Sequence, residues 1–527
     1  MKLYRSFATV GGLTMISRVL GFVRDILFAW AFGSGWVADA FNVAFRFPNL
    51  FRRLFGEGAF NSAFIPLFAK KLEGEGPEAA RSFAEQAMAG LLFVLVIVSI
   101  AAIVGMPWFM YLLAPGFSAD REKFDLAVLL TQIAFPYLTC MSLVALMSGV
   151  LNSFGRFAES SGVSIVLNLT LSAALFVGFA LGFHNDPAGG VVQALGVFIA
   201  GLLQLALLMD GLRRANFRLS LRRPKWSADM RRLVSLGIPG VISGGVTQIN
   251  IMIGTMIASL QPGAVSQLYY ADRLYELPLA IVGIAIGVVL LPDISRHLRA
   301  GNDAAVMDSQ NRSLELSMLL TVPAAVALAV VPVEIIRVLF ERGAFTPADT
   351  SATAAALAIF AWGLPAFVLI KVFSPAYFAR EDTKTPMRFA TLSLFANTLG
   401  SVGLFFLFRS MGMLPQLGIA LASALGGWLN AALLYATLSR RGHIVIDSRA
   451  RRNLPLIVLC SLAMGLALWL GAQYLAPWLA SAQPLWTKTG ALFALVGGAM
   501  ILYFATMLGA GILRPGMLRR ARSNAAG

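Results

Sequence analysis

The chain has 527 residues, 58% of them hydrophobic and only 13% charged, with a mean hydropathy of +0.76. A soluble domain carries roughly 25% charged residues, so this composition excludes an ordinary soluble enzyme and predicts an integral membrane protein. Lipid offers the backbone no hydrogen-bond partner, and the period-2 pattern of a barrel is absent, so the predicted fold class is all-α and polytopic. Cys140 and Cys460 both sit in apolar runs, which points to packing rather than to a disulfide framework or a zinc site.

In chain order, apolar runs separated by turn and charge signals predict about fourteen transmembrane helices. They lie near 6–33, 37–69, 83–113, 124–152, 160–183, 188–212, 232–260, 265–295, 313–340, 350–379, 387–408, 414–439, 453–476 and 486–513. The first is expected to be a retained helix rather than a signal peptide, because it is too long and carries Arg18, Arg24 and Asp25 in its middle. Most of the 42 Lys and Arg fall at the termini or in the connections after even-numbered helices. The opposite side holds only Arg121, Lys123, Arg342, Arg409 and Lys488. By the positive-inside rule both termini are predicted to be cytoplasmic. The net charge of +16 then needs no nucleic-acid partner. Clusters such as Arg213 to Lys225 and Arg440 to Arg452 are read as topology signals that touch anionic membrane lipid.

The chain also aligns with itself at an offset of about 229 residues: FPYL at Phe135 falls on LPAF at Leu364, Asn168 on Asn397, and Pro48 near Pro278. This predicts an N-terminal six-helix lobe over 1–220, a C-terminal six-helix lobe over 228–445, and two additional helices over 452–513. An even number of helices per lobe implies a pseudo-two-fold axis along the membrane normal, as in parallel-repeat transporters.

Candidate functional residues are the charges inside these apolar spans. An arginine at the centre of a spanning helix costs roughly 2.5–3.5 kcal/mol even on the gentler insertion scale, so it is retained where it faces protein, water or a ligand. Helix 1 carries Thr14, Ser17, Arg18, Gly21, Arg24 and Asp25 at helical spacing, read as one polar stripe. Helix 2 carries Asp39, Asn42, Arg46, Asn49 and Arg53, with Arg52 at the edge and Glu57 one turn on. Helix 8 carries Tyr269, Asp272, Arg273 and Glu276. One reading is a structural ion-pair network. The preferred reading is a cavity for an anionic group, because the cations are arginines, whose planar fork holds two phosphate oxygens at once. Asp25 and Asp39 are expected to orient the arginines. Lys371 is a lone cation in helix 10 that either lines the cavity or snorkels. Arg380, in a turn that caps helix 10, is with Glu57 a candidate gate. Asn168 and Asn397 are read as interhelical hydrogen-bond partners rather than ion ligands. No metal-ligand spacing is present.

The stretches SRVLGFVRD (Ser17 to Asp25), DAFNVAFRFPNLFRRLFGEGAFNSAFIP (Asp39 to Pro66), LYYADRLYELPLAIVGIAIGVVLLP (Leu268 to Pro292) and VFSPAYFAREDTKTP (Val372 to Pro386) closely resemble the MviN/MurJ family. These are lipid II flippases within the multidrug/oligosaccharidyl-lipid/polysaccharide exporter group. The resemblance covers essentially the whole chain. It implies transport of undecaprenyl-diphosphate-linked disaccharide-pentapeptide from the cytoplasmic to the periplasmic leaflet of the bacterial inner membrane by alternating access, for peptidoglycan synthesis. It further implies that Arg18, Arg24, Arg52 and Arg273 bind substrate, that Asp39 and Glu276 are cavity acids, and that the last two helices hold the lipid tail. The expected partners are lipid II, membrane lipids and cell-wall synthesis enzymes. No cofactor is expected, and the drive is the membrane potential or a monovalent cation. The rival readings are a flippase for another polyprenyl-linked glycan, a drug exporter, which calls for an acidic cavity, and a membrane-embedded polyprenyl-diphosphate glycosyl transferase, which calls for a carboxylate-rich external loop.

Overall fold

The computed structural model describes the backbone of residues 2–52 and 60–512; within that range the side chains of 2–8, 51, 52, 60–62, 239–247, 249, 250, 284, 285 and 287–289 are left undescribed. The described residues form helices joined by short connections, without strands. Ten helical segments among them are long and apolar enough to cross a membrane. The chain is a multi-pass, all-α membrane protein.

It divides into two compact units, Met1–Ser266 with Arg342–Phe345, and Gln267–Glu341 with Thr346–Gly527. In the first unit the helices are α1 (Lys2–Phe32), α2 (Trp36–Arg52), α3 (Phe60–Gly74), α4 (Pro77–Leu113), α5 (Arg121–Ala134), α6 (Tyr137–Ser153), α7 (Phe157–Ala180), α8 (Pro187–Arg214) and α9 (Ala228–Ser259). The expected span at 124–152 is one membrane-crossing segment, Arg121–Ser153, interrupted at Pro136, whose missing N–H divides it into α5 and α6. The expected span at 37–69 contains α2 and α3, and 53–59 lie outside the described residues. Starts follow local chemistry: Asp120 accepts from the Lys123 amide at the head of α5, Asp186 from Ala188 at α8, and Ser227 from Met230 at α9. Small residues set the closest approaches. A Cβ on Gly201 of α8 would stand 2.9 Å from both Tyr137 and Cys140 of α6.

The second unit holds most of α10 (Ala264–Arg299), then α11 (Asp303–Val330), α12 (Pro332–Phe340), α13 (Pro347–Phe378), α14 (Lys384–Ser410), α15 (Gln416–Arg440), α16 (Ser448–Leu479) and α17 (Leu485–Gly509). The expected single span at 313–340 is a correction: α11 starts ten residues earlier at Asp303, behind an Asn302 cap, and stops at Val330, where Pro332 opens the separate α12. A capping box of Thr346 and Asp349 starts α13. One core gathers Val282, Leu314, Val368, Phe373 and Leu434 from α10, α11, α13 and α15; a second gathers Leu319, Ile457, Leu468 and Leu495 from α11, α16 and α17. Within these apolar layers the Tyr377 hydroxyl donates to the Leu434 carbonyl at 2.7 Å and the Tyr503 hydroxyl to the Leu319 carbonyl at 2.8 Å, so both polar tips are satisfied.

The loop Arg342–Phe345 belongs to the first unit through the end of α1. The Ala344 amide donates to the Trp30 carbonyl at 3.0 Å, and Gly33, at φ +58°, has no room for a side chain because a Cβ would lie 2.3 Å from the Ala344 carbonyl oxygen. Gly182 has a similar φ, +78°, with nothing near its Cβ position. Each Gly→Ala change pays the left-handed penalty of about 1–2 kcal/mol, but only Gly33→Ala also displaces backbone. Thermal unfolding of the two purified variants is expected to show the larger loss for Gly33→Ala, and equal losses would contradict the close packing of this loop.

Candidate functional site

Helix α1 does not present its polar residues as a single stripe. Arg24 is 7% exposed and Asp25 3%, whereas Arg18 is exposed. Six residues turn an α-helix by about 600°, so Arg18 and Arg24 point about 120° apart. The Arg24 guanidinium donates from Nε and Nη2 to Asp25 Oδ1 at 3.2 and 2.6 Å and from Nη1 to Asn168 Oδ1 of α7 at 3.1 Å. Asn168 in turn donates from Nδ2 to the Ser17 carbonyl at 2.9 Å. Gly21, whose added Cβ would lie 3.3 Å from Asn168 Nδ2, lets α7 approach. Ser17, Arg24, Asp25 and Asn168 are therefore one network, and Asn168 is an interhelical hydrogen-bond partner. The Arg18 side chain makes no hydrogen bond or ion pair with a described residue.

The stripe on α2 serves packing within the first unit. Asp39 is fully buried and does not orient an arginine as expected. Its Oδ2 accepts from Lys123 Nζ at 2.7 Å and from the Gly263 amide at 2.8 Å, and its Oδ1 from the Ser266 amide at 3.0 Å and the Ser266 hydroxyl at 2.8 Å. The physical reason is position: Asp39 sits where the free amides at the head of α10 need an acceptor and where α5 brings a cation. Lys123, read from sequence only as a loop charge, is 5% exposed and also lies 4.2 Å from the centre of the Phe117 ring. One turn on, Asn42 Nδ2 donates to Ser266 Oγ at 3.1 Å, and Arg46 Nη1 donates to Thr255 Oγ1 of α9 at 2.6 Å. The Arg52 side chain and all of Arg53 and Glu57 lie outside the described residues.

In the second unit Arg273 lies along the Tyr269 ring, its guanidinium carbon 5.0 Å from the ring centre, with Nη2 donating to the Tyr269 hydroxyl at 3.2 Å. Its contact with Glu276 is long, 3.5 Å, and both side chains are well exposed, 37% and 48%. Lys371 of α13 lays its stem over Gly283 of α10, where a Cβ would meet Lys371 Cδ at 2.8 Å; its ammonium is exposed and makes no ion pair with a described residue. Arg380 donates from Nη1 to the Ala376 carbonyl at 2.8 Å, closing the end of its own helix. The same turn is pinned by Asp382, which accepts from Arg441 Nη1 at 2.7 Å, from Thr385 Oγ1 at 2.7 Å and from the Thr385 amide at 3.0 Å. Arg441 first, then Thr385, hold the Asp382 carboxyl down to about 2.

The two arginine environments differ in what an incoming anion would have to displace. A half-exposed pair such as Arg273 with Glu276 is worth about 0–1 kcal/mol. The Arg24–Asp25 pair is buried, and removing one partner of such a pair costs about 3–5 kcal/mol. Asn168 was read as an interhelical hydrogen-bond partner and Tyr269 was placed beside Arg273, whereas Lys123 escaped sequence reasoning as the partner of Asp39. For Lys123 the available signal was its place at the head of one helix on the same side as Asp39 at the head of another.

Comparison with known proteins places this geometry. A family profile described as "Lipid II flippase MurJ" matches residues 28–487. The chain is 47% identical to a probable lipid II flippase MurJ of Rhizobium tropici, over 99% of this chain and 96% of that protein, and 33% identical to one of Rickettsia prowazekii, over 96% and 97%. Among solved structures, a lipid II flippase MurJ in an inward closed conformation matches with a TM-score of 0.76 at 24% identity, over 96% of this chain and 99% of that one. An inward-facing multidrug transporter of the MATE family matches at 0.67 and 14%, over 82% and 97%. At these identities the structural matches speak for the fold alone.

Arg24→Ala strands the buried Asp25 carboxylate and is expected to lower stability by about 3–5 kcal/mol, while Arg273→Ala stays within about 0.5 kcal/mol of wild type. Arg24→Ala with Asp25→Ala should recover most of the loss. Melting of the purified variants in one detergent checks this, and an Arg24→Ala protein as stable as wild type would remove the network from the account of α1.

Proposed function

Because the chain belongs to the lipid II flippase MurJ family, we infer that it is a lipid II flippase. It is a transporter and not an enzyme, moving lipid II across the membrane for peptidoglycan synthesis by alternating access. The observation that carries this is 47% identity to a probable lipid II flippase along nearly the whole length of both chains. The substrate is undecaprenyl-diphosphate-linked disaccharide-pentapeptide, taken from the cytoplasmic to the periplasmic leaflet of the bacterial inner membrane, with both termini in the cytoplasm. Cell-wall synthesis enzymes that supply or consume lipid II are the natural protein partners. Arg18 and Lys371, whose side chains make no ion pair with a described residue, support a head group that is anionic.

In this reading Arg273 exchanges Glu276 for diphosphate oxygens, which its planar fork can hold two at a time. Tyr269 keeps the guanidinium plane fixed through the ring contact, so little side-chain freedom is lost on binding. Lys371, in the same unit, adds long-range attraction; in the first unit Arg18 and, by family resemblance, Arg52 are the candidate substrate contacts. Arg24 acts differently. Its charge is matched by Asp25, so it holds α1 to α7 and presents a net-neutral wall beside the exposed Arg18.

The drive is the membrane potential. A head group with two negative charges moving outward is driven by an inside-negative potential and gains about 2.3 kcal/mol per charge per 100 mV. That is enough to bias the cycle without a cofactor.

Depletion in cells is expected to abolish exposure of labelled lipid II at the periplasmic face. A wild-type copy should restore it and an Arg273→Ala copy should not. Unchanged exposure on depletion, in a strain without a second flippase, would overturn the function. Exposure restored by Arg273→Ala would overturn the site alone. In proteoliposomes at constant pH, collapsing the potential with valinomycin and potassium should slow outward transport severalfold, and an unaltered rate would assign the drive to an ion gradient.

A further inference from the structure

Each unit contains a crevice at the same place in the sequence repeat, and the two are covered differently. In the first unit, α4, α6 and α8 together with the extended segment after α8 enclose about 600 Å³. In the second, α11, α13 and α15 together with the segment after α15 enclose about 310 Å³. Lining residues correspond: Met88 with Leu314, Leu92 with Met318 and Met209 with Tyr435, each 226 positions apart, and Leu143 with Phe373, 230 apart. The strap that closes each crevice is tied in the same way. Glu85 Oε1 accepts from the Ser220 amide at 3.0 Å, and Asn311 Oδ1, 226 positions on, accepts from the Asp447 amide at 3.3 Å. Phe217 and Ile444 anchor the two straps, 3% and 2% exposed.

The difference lies in the cover. In the second unit α16 begins directly after the strap, and its Leu454 and Val458 line the crevice. In the first unit no described residue of α9, the helix that follows the strap, lines the crevice. Its crevice instead carries two arginines, Arg213 and Arg218, at the level where the positive-inside count puts the cytoplasmic surface.

These two are set apart from their basic neighbours. Arg214 pairs with Asp210 at 2.7 Å, Arg222 pairs with the buried Glu85 at 2.6 Å, and Arg81 lies over the Phe217 ring at 5.3 Å. The guanidinium groups of Arg213 and Arg218 make no ion pair or hydrogen bond with a described residue. The strap bearing Arg218 is nonetheless fixed, since Ser220 donates to Glu85 from both its amide and its hydroxyl, the latter at 2.7 Å. The site is thus a held, apolar cleft of ligand-binding size with two uncommitted forks at its mouth.

We propose that this crevice binds an anionic glycerophospholipid of the inner leaflet, its phosphate at Arg213 and Arg218 and an acyl chain over Met88, Leu143 and Met147. The lipid supplies the apolar cover that α16 supplies in the other unit. Charge selects the occupant: an uncharged lipid offers the two guanidinium groups nothing, a zwitterionic one brings its own cation beside them, and an anionic head group matches a basic pocket on the cytoplasmic side with net negative charge.

The test uses the full-length protein in nanodiscs of phosphatidylcholine with a minor fraction of phosphatidylglycerol carrying a photoactivatable acyl tail. Crosslinked peptides are expected on α4, α6 and α8. Arg213→Ala with Arg218→Ala should weaken labelling there by roughly 30-fold in affinity, the effect of two basic contacts at the membrane surface. Arg214→Ala, whose arginine is already paired, should leave labelling unchanged, and so should the melting temperature of all three proteins. Equal labelling by a phosphatidylcholine probe, or by the double variant, would overturn the proposal. Displacement of the probe by undecaprenyl phosphate more readily than by unlabelled phosphatidylglycerol would overturn the choice of lipid and assign the crevice to a polyprenyl phosphate.

Discussion

The Asp39 carboxylate is fully buried, so its charge has to be answered entirely by protein. Four donors do this: the Lys123 ammonium, the Ser266 hydroxyl, and the amides of Gly263 and Ser266. Because those donors come from α5 and the head of α10, one buried charge fixes three helices to one another at a single point. An isolated ion in such a place costs several kcal/mol, and only close pairing with full hydrogen bonding makes the position tenable. The neighbouring contacts of Asn42 with Ser266 and of Arg46 with Thr255 extend the same seam one turn at a time. The polar face of α2 from Asp39 to Arg46 is in this way consumed by packing within the first unit.

A transporter of an anion needs cations that are present but not spent. Arg24 shows the spent case: its guanidinium is divided between Asp25 and Asn168, and its value is to hold α1 against α7. Arg273 shows the other case, with an aromatic ring to set its plane and a distant carboxylate to moderate its charge. Were Glu276 as close and as buried as Asp25, the two would form a strong pair, costly to break. Were it missing, the empty unit would carry an unmatched charge in a region of low dielectric.

The helical class and the membrane setting were legible in the sequence because they rest on composition and on long apolar runs, which need no knowledge of neighbours. One span boundary was not: at 313–340 the apolar run continues through Pro332, and hydropathy is blind to a missing backbone donor. Side-chain roles were half legible. Spacing gathered Ser17, Arg24 and Asp25 correctly, yet merged Arg18 into the same stripe, because an i, i+3, i+4, i+7 pattern tolerates residues that lie about 120° apart at its edges. Asp39 was found, but its partner was not, since Lys123 comes from another helix.

The repeat also shows how duplication and divergence divide the work of charge. At equivalent positions Glu85 and Asn311 tie down equivalent straps, but Glu85 has a second oxygen with a negative charge to satisfy and takes Arg222 with it. Asn311 needs no cation, and the arginines of the second unit's cluster are drawn instead to Asp382 and Glu315. Arginine-rich segments that look alike in sequence therefore end differently. What remains uncommitted depends on how many carboxylates lie within reach, not on how many arginines the segment contains. In the first unit that subtraction leaves Arg213 and Arg218 at the open crevice. In the second it leaves an apolar crevice that a following helix can close.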